Sequence, residues 1–184
     1  NLLMKTLLAA VLLCSSFAMA SSDGLQRSFR AVSGLPYDVN TWQVGSKTEY
    51  RVFEAGTDVG FFKKEVVGKT TDRLWIRTEL RTTKLNTTAM IAYSTSGAID
   101  SVVVDGKVAS YPTLTFELIN QAAVNVSVPA GTFSTHWYLV INDDTGEASN
   151  IWYSEVETAI DNMVRAEMNF NGTNYTFELA SFQK

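Results

Sequence analysis

Apolar positions fall into two periods along this chain. Over residues 21–36 they recur at Leu25, Phe29 and Val32, with Asp23 placed to cap the start and Gly34 and Pro36 at the end. The spacing i, i+4, i+7 predicts a short helix with one apolar stripe. From about Val39 the period drops to two. Runs rich in Val, Ile, Thr, Tyr, Phe and Trp predict strands at 41–45, 47–55, 59–68, 72–82, 87–93, 98–104, 107–110, 123–128, 133–142, 148–154, 162–170 and 173–182.

Turn residues separate these runs. Asp105-Gly106 and Asn171-Gly172 are two-residue hairpin loops, in which both positions take positive φ. Val128-Pro129-Ala130-Gly131 fits a turn in which Pro sets φ at the second position. Tight hairpins in series make antiparallel neighbours. One interruption is predicted after Pro112, where Leu114, Leu118, Ile119 and Ala122 have helical spacing. The expected fold is all-β with one or two short helices. Its antiparallel meander curves into a barrel or half-barrel, because a dozen strands in one sheet do not stay flat.

Several strands are apolar on both faces. Thr135, Trp137, Leu139 and Ile141 share one face of their strand, while Tyr138 and Val140 share the other. Tyr175, Phe177 and Leu179 line one face of the last strand. Such a sheet has a filled or hollow inside and something over part of its outside. The helix at 21–36 and the segment 112–122 are the expected covers.

The N-terminal residues have a different layout. Met4-Lys5 precedes an apolar stretch, Leu7–Cys14, and residues 15–20 end in Ala-x-Ala. This is the pattern of a secretory signal peptide over residues 4–20, cut after Ala20. Residues 21–184 are then expected to form one domain. Cleavage removes Lys5 and Cys14, shifting the formal net charge from −4 to −5 and leaving no cysteine. A membrane-spanning helix needs about 20 apolar residues, and no run after residue 20 is that long.

Composition narrows the chemistry. With one Cys and one His, His136, a thiolate zinc site or a histidine metal cluster is hard to build. The acidic balance argues against nucleic acid as a partner. No Ser sits in a G-x-S-x-G elbow. Asp143, Asp144 and Glu147, and again Glu155, Glu157 and Asp161, read as solvated acidic loops. The strand 72–82 alternates Leu74, Ile76 and Leu80 with Arg73, Trp75, Arg77, Glu79 and Arg81. A tryptophan between arginines can hold planar or anionic groups. Phe61, Phe62, Lys63 and Lys64 would extend that surface from an adjacent strand.

The most specific string is Val128-Pro129-Ala130-Gly131-Thr132-Phe133, followed by Ile151-Trp152-Tyr153-Ser154. It resembles an uncharacterised Gram-negative envelope family with a V-P-A-G-T-F hairpin, over roughly residues 122–184. That family looks related to the LolA/LolB-like periplasmic half-barrels. The stretch Glu155–Asp161 departs from the family in having neither Gly nor Pro. The resemblance implies a periplasmic or secreted protein of a Gram-negative bacterium, with a hydrophobic ligand and no assigned reaction.

The leading expectation is a non-catalytic exported protein that binds or carries an apolar or amphipathic envelope molecule such as lipid, without a cofactor. Trp137, Trp152, Tyr175 and Phe177 are the interior aromatics expected to line its site, with Arg73 and Arg77 at the rim. The alternative is a protein–protein module of envelope assembly that docks through an unpaired edge strand. A hydrolase comes last. An interior cavity above roughly 300 Å³ is ligand-sized and favours the first; a filled interior favours the second.

Overall fold

A computed structural model describes residues 39–84, 86–97, 99–109, 116–142, 146, 148–156, 158, 160–170 and 173–184. The signal segment, the helix at 21–36 and the acidic positions Asp143, Asp144, Glu147 and Glu157 lie outside the described residues. The strands are β1 (Lys47–Glu54), β2 (Thr57–Lys69), β3 (Arg73–Thr82), β4 (Asn86–Ser94), β5 (Ile99–Val104), β6 (Lys107–Ala109), β7 (Phe116–Val128), β8 (Gly131–Asn142), β9 (Ala148–Ser154), β10 (Met163–Phe170) and β11 (Thr173–Gln183). They form one curved, open sheet in the order β6-β5-β4-β3-β2-β1-β11-β10-β9-β8-β7. Two meanders, β1–β6 and β7–β11, are thus joined by the pairing of β1 with β11.

Covalent geometry explains why the sheet curls and why it stops short of closure. Its edges, β6 and β7, are consecutive in sequence. Eleven flat strands would set the edges about 48 Å apart. The short link from Ala109 to Phe116 spans at most about 25 Å. Every described pairing is antiparallel, so β6 and β7 run in the same direction. A parallel pairing needs a crossover of a dozen or more residues, which this link does not have.

The period-two reading places these strands well. Asp105 and Gly106 take φ 47° and 79°, as a two-residue hairpin requires. Two expectations are corrected. Residues 116–122 belong to β7 and not to a helix. Residues 41–45 do not form a strand: Val39–Thr41 is a 3-10 turn, and the chain reverses at Gly45 with φ 94°. No α-helix occurs among the described residues.

Directly paired residues share a face, so the register sorts the side chains. The inner face carries Tyr50, Phe62, Tyr138, Ile151, Ala166, Phe177 and Leu179, all fully buried in one cluster. Phe62 stacks on Tyr50 at 5.9 Å and meets Phe177 edge-on at 6.0 Å. A second cluster under β2–β5 joins Val66, Leu74, Ile76, Ile91 and Tyr93 to Val39 and Trp42. It also takes in Ile160, from the connection between β9 and β10.

That connection is a cover which the sequence reading did not assign. Asp161 is 2% exposed, which corrects its reading as part of a solvated loop. Its carboxylate pairs with the ammonium of Lys64, which projects inward from β2 and is itself fully buried. The Tyr50 hydroxyl donates to the carbonyl of Met163 at 3.0 Å and lies 3.5 Å from Asp161 Oδ1. Asp161 and Asn162 both take left-handed φ, 52° and 58°, so the chain bends sharply as it enters β10. In the sheet order β1 and β11 lie between β2 and β10. The Lys64–Asp161 pair therefore ties the two meanders together across the concave side.

Candidate functional site

The register separates the four candidate aromatics into two pairs. Tyr175 and Phe177 lie on the inner face of β11, buried within the main cluster. Trp137 and Trp152 are directly opposed on β8 and β9, on the outer face, and both are partly exposed. They belong to a row that crosses the sheet: Ala122, Trp137, Trp152, Arg165, Glu178 and Arg51, each opposite the next.

From Trp137 to Glu178 each side chain of this row has a partner. Trp137 Nε1 donates to Asn150 Oδ1 at 3.0 Å. The Arg165 guanidinium lies 5.4 Å from the centre of the Trp152 ring, in cation–π range. The same guanidinium pairs with Glu167 at 2.6 Å and Glu178 at 3.4 Å. Leu139 and Ile141, on the same face of β8, are also half-buried. The outcome is an apolar, aromatic strip that ends at β7.

β7 is the open edge beside this strip. It has 13 residues, pairs with β8, and offers its other side to no described strand. Residues 119–125 are exposed, with Ile119 at 46% and Val124 at 37%. Glu117 is its one charged residue. The usual devices that blunt an edge are Lys, Pro and short length. The opposite edge uses two of them, since β6 is three residues long and begins with Lys107. β7 has no Lys or Pro and is long, and its charge and its bulge, Glu117 and the shift between Leu118 and Asn120, both fall near its start.

Arg73 and Arg77 lie on the outer face of β3, far from the tryptophans in the sheet order. Arg73 pairs with Asp100 at 3.3 Å, and Arg77 forms a short ion pair with Glu65. Phe61 and Lys63 of β2 share that face, while Phe62 and Lys64 point inward, so the basic–aromatic surface takes only alternate residues. A groove of about 460 Å³ opens here, lined chiefly by Lys47, Glu49, Lys63, Glu65, Arg77 and Glu79. Its charges largely satisfy one another: Lys47 lies 3.4 Å from Glu65, and Lys63 3.1 Å from Glu49. Partial desolvation works to raise the Glu65 carboxyl, but the hydrogen bonds and charges of Arg77 and Lys47 hold it below the ordinary range.

His136 lies mid-strand in β8, with Nε2 3.4 Å from Glu155 Oε1. Among the described residues no three His, Cys, Asp or Glu side chains converge as a metal site would need. No described helix is long and apolar enough to cross a membrane. The open edge of β7 escaped the sequence reading because an edge strand exposed on both faces has no alternation to detect. The near absence of charge over residues 116–128 was the available signal.

No protein-family model matches the chain, and no curated protein matches it. Among solved structures it is similar to a hypothetical protein, CT021, from Chlamydia trachomatis. That match has 7% identity and a TM-score of 0.50, and covers 79% of this chain and 89% of the other. It is also similar to a protein from Bacteroides fragilis described as exported with a YmcC-like fold, at 10% identity and TM-score 0.45, over 78% and 97% of the two chains. A third, described as a lipoprotein from Parabacteroides distasonis, matches at 10% identity and TM-score 0.39, over 77% and 96%. The Chlamydia likeness shows a shared fold.

Proposed function

We propose that this chain is an exported, non-catalytic protein-interaction module that docks an extended segment on β7. The carrying observation is the contrast between its surfaces. Among the described residues the inner face carries a buried aromatic cluster and the β9–β10 connection, whereas the 13 residues of β7 pair on one side only, beside an aromatic strip. An added strand gains main-chain hydrogen bonds from the edge and specificity from alternate side chains. Its outward residues would lie against Ala122 and Val124, next to Trp137. Export rests on the signal-peptide layout of residues 4–20.

A second reading, an amphipathic ligand on the outer face, draws on one observation: Trp137 and Trp152 are partly exposed beside Arg165.

Affinity capture from a Gram-negative envelope extract tests both. The wild-type chain is compared with Ala122→Lys and Val124→Lys, which place a charge on exposed edge positions. The module reading expects one discrete protein, foreign or an untagged copy of this chain, that both variants lose. Capture of the same proteins by all three chains overturns it. Co-purified lipid without protein, seen by native mass spectrometry, supports the second reading instead.

A further inference from the structure

We infer that the partner seated on β7 is a second copy of this chain, paired antiparallel through β7 about a two-fold axis near Ala122. This rests on the reading of β7 as the docking edge and names its occupant.

Three observations carry it. The first is the asymmetry of the edges. Among the described residues, β7 has 13 that pair on one side only, whereas β6 has three. A chain with one long open edge consumes that edge in a single isologous contact. The assembly then closes as a dimer and does not grow into a filament.

The second is charge. A two-fold pairing centred on Ala122 sets Gln121 opposite the partner's Ala123 and Asn120 opposite the partner's Val124. Glu117 falls opposite the partner's Ser127. The two Glu117 carboxylates then stand about 34 Å apart along the strands, well beyond a Debye length of about 8 Å. Like charges, the usual obstacle to self-pairing of an edge, are thereby kept apart.

The third is the aromatic strip. Ala122 ends the row that includes Trp137 and Trp152. Pairing residues of like parity keeps the outer faces of both copies on the same side. The two rows then join at their alanines into one strip with two tryptophans on each side. The small Ala122 side chains leave room for the strands to meet between the Trp137 rings. A single copy carries half of this surface.

Native mass spectrometry and sedimentation of the wild-type chain are expected to give twice the chain mass, and Ala122→Lys to give the chain mass. In the chain cleaved after Ala20, which has no cysteine, a short bis-maleimide is expected to link Ala122→Cys chains in pairs. It should not link chains carrying Cys at Val108, which is 86% exposed on the other edge. A wild-type monomer overturns the inference, as does a dimer that links through position 108. If the wild type is monomeric but Ala122→Lys still loses the captured protein, docking on β7 stands and self-pairing falls. If Ala122→Lys also captures the same proteins as wild type, both readings fall.

Discussion

Lys64 and Asp161, 97 residues apart in sequence, form an ion pair inside the sheet with side chains 0% and 1% exposed. Lys64 Nζ also lies 5.4 Å from the centres of the Tyr50 and Phe62 rings. Taking both charges out of water costs several kcal/mol per ion, so the pair gives little net stability. Losing one partner is another matter. Asp161→Asn leaves the ammonium buried beside an amide and is expected to destabilise the fold by about 3–5 kcal/mol in urea unfolding. Replacing both residues by apolar ones, Lys64→Met with Asp161→Leu, is expected to recover most of that loss. A single variant as stable as wild type would show that Lys64 reaches water and that the pair does not bridge the meanders.

Buried phenols set the alkaline response. Burial pushes the Tyr138 hydroxyl from 10.0 to about 12, and it also raises Tyr175. The folded chain holds protons that the unfolded chain has released, so each group weakens the fold as pH rises from its unfolded to its folded pKa. For Tyr138 the window is pH 10 to 12, and at most about 2–3 kcal/mol is lost across it. Tyr138→Phe should lessen that alkaline loss in chemical unfolding and leave the share of Tyr175, and phenolate absorbance should show these two tyrosines ionising late. A Tyr138→Phe variant that tracks the wild type through the window would contradict the burial that causes the shift.

Gly60 permits the close approach of β2 to β3 at the end of their pairing. Its φ is 152°, and a Cβ there would sit 1.9 Å from the carbonyl oxygen of Arg81. Gly60→Ala must break the ladder locally or shift β2, so a loss of about 1–3 kcal/mol is expected. Gly56 also has positive φ, 83°, but a Cβ there meets nothing. Gly56→Ala should cost about 1 kcal/mol from backbone strain alone. Equal melting shifts for the two variants would mean that the close approach to Arg81 is relaxed in solution.

The period-two pattern made most of this sheet legible in advance. It worked where one face is buried, as in β3, where Leu74, Ile76, Thr78 and Leu80 alternate with exposed or half-buried neighbours. It failed at 116–122 because residues exposed on both faces of an edge have no reason to alternate. Leu118, Ile119 and Ala122 there happen to match a helical stripe. Alternation also assigns faces without saying which face is inside. Trp137 and Tyr138 were assigned to opposite faces of β8, yet Trp137 was expected inside with Phe177, and it lies on the outer face. Only the pairing of β8 through β11 shows that one side is outer and the other inner. Asp161 was unreadable for a different reason. Its partner lies on β2, and nothing in an acidic stretch of sequence points to a lysine 97 residues away.

That distinction of faces separates the roles of the candidate residues. Phe177 is fully buried and meets Phe62 at 6.0 Å. Phe177→Ala is expected to cost about 3–5 kcal/mol, as emptying an aromatic site in a packed core does. Trp152 keeps one face partly in solvent, where the Arg165 stem covers it. Trp152→Ala loses less burial and one cation–π contact, so a cost of about 1–2 kcal/mol is expected. The functional readout should run the other way. Phe177→Leu, which retains most of the core volume, should keep partner capture and dimer mass. Trp137→Ala with Trp152→Ala should reduce both while the chain stays folded by circular dichroism. If the double tryptophan variant binds as wild type does, the outer strip is surface cover and docking rests on the backbone of β7 alone.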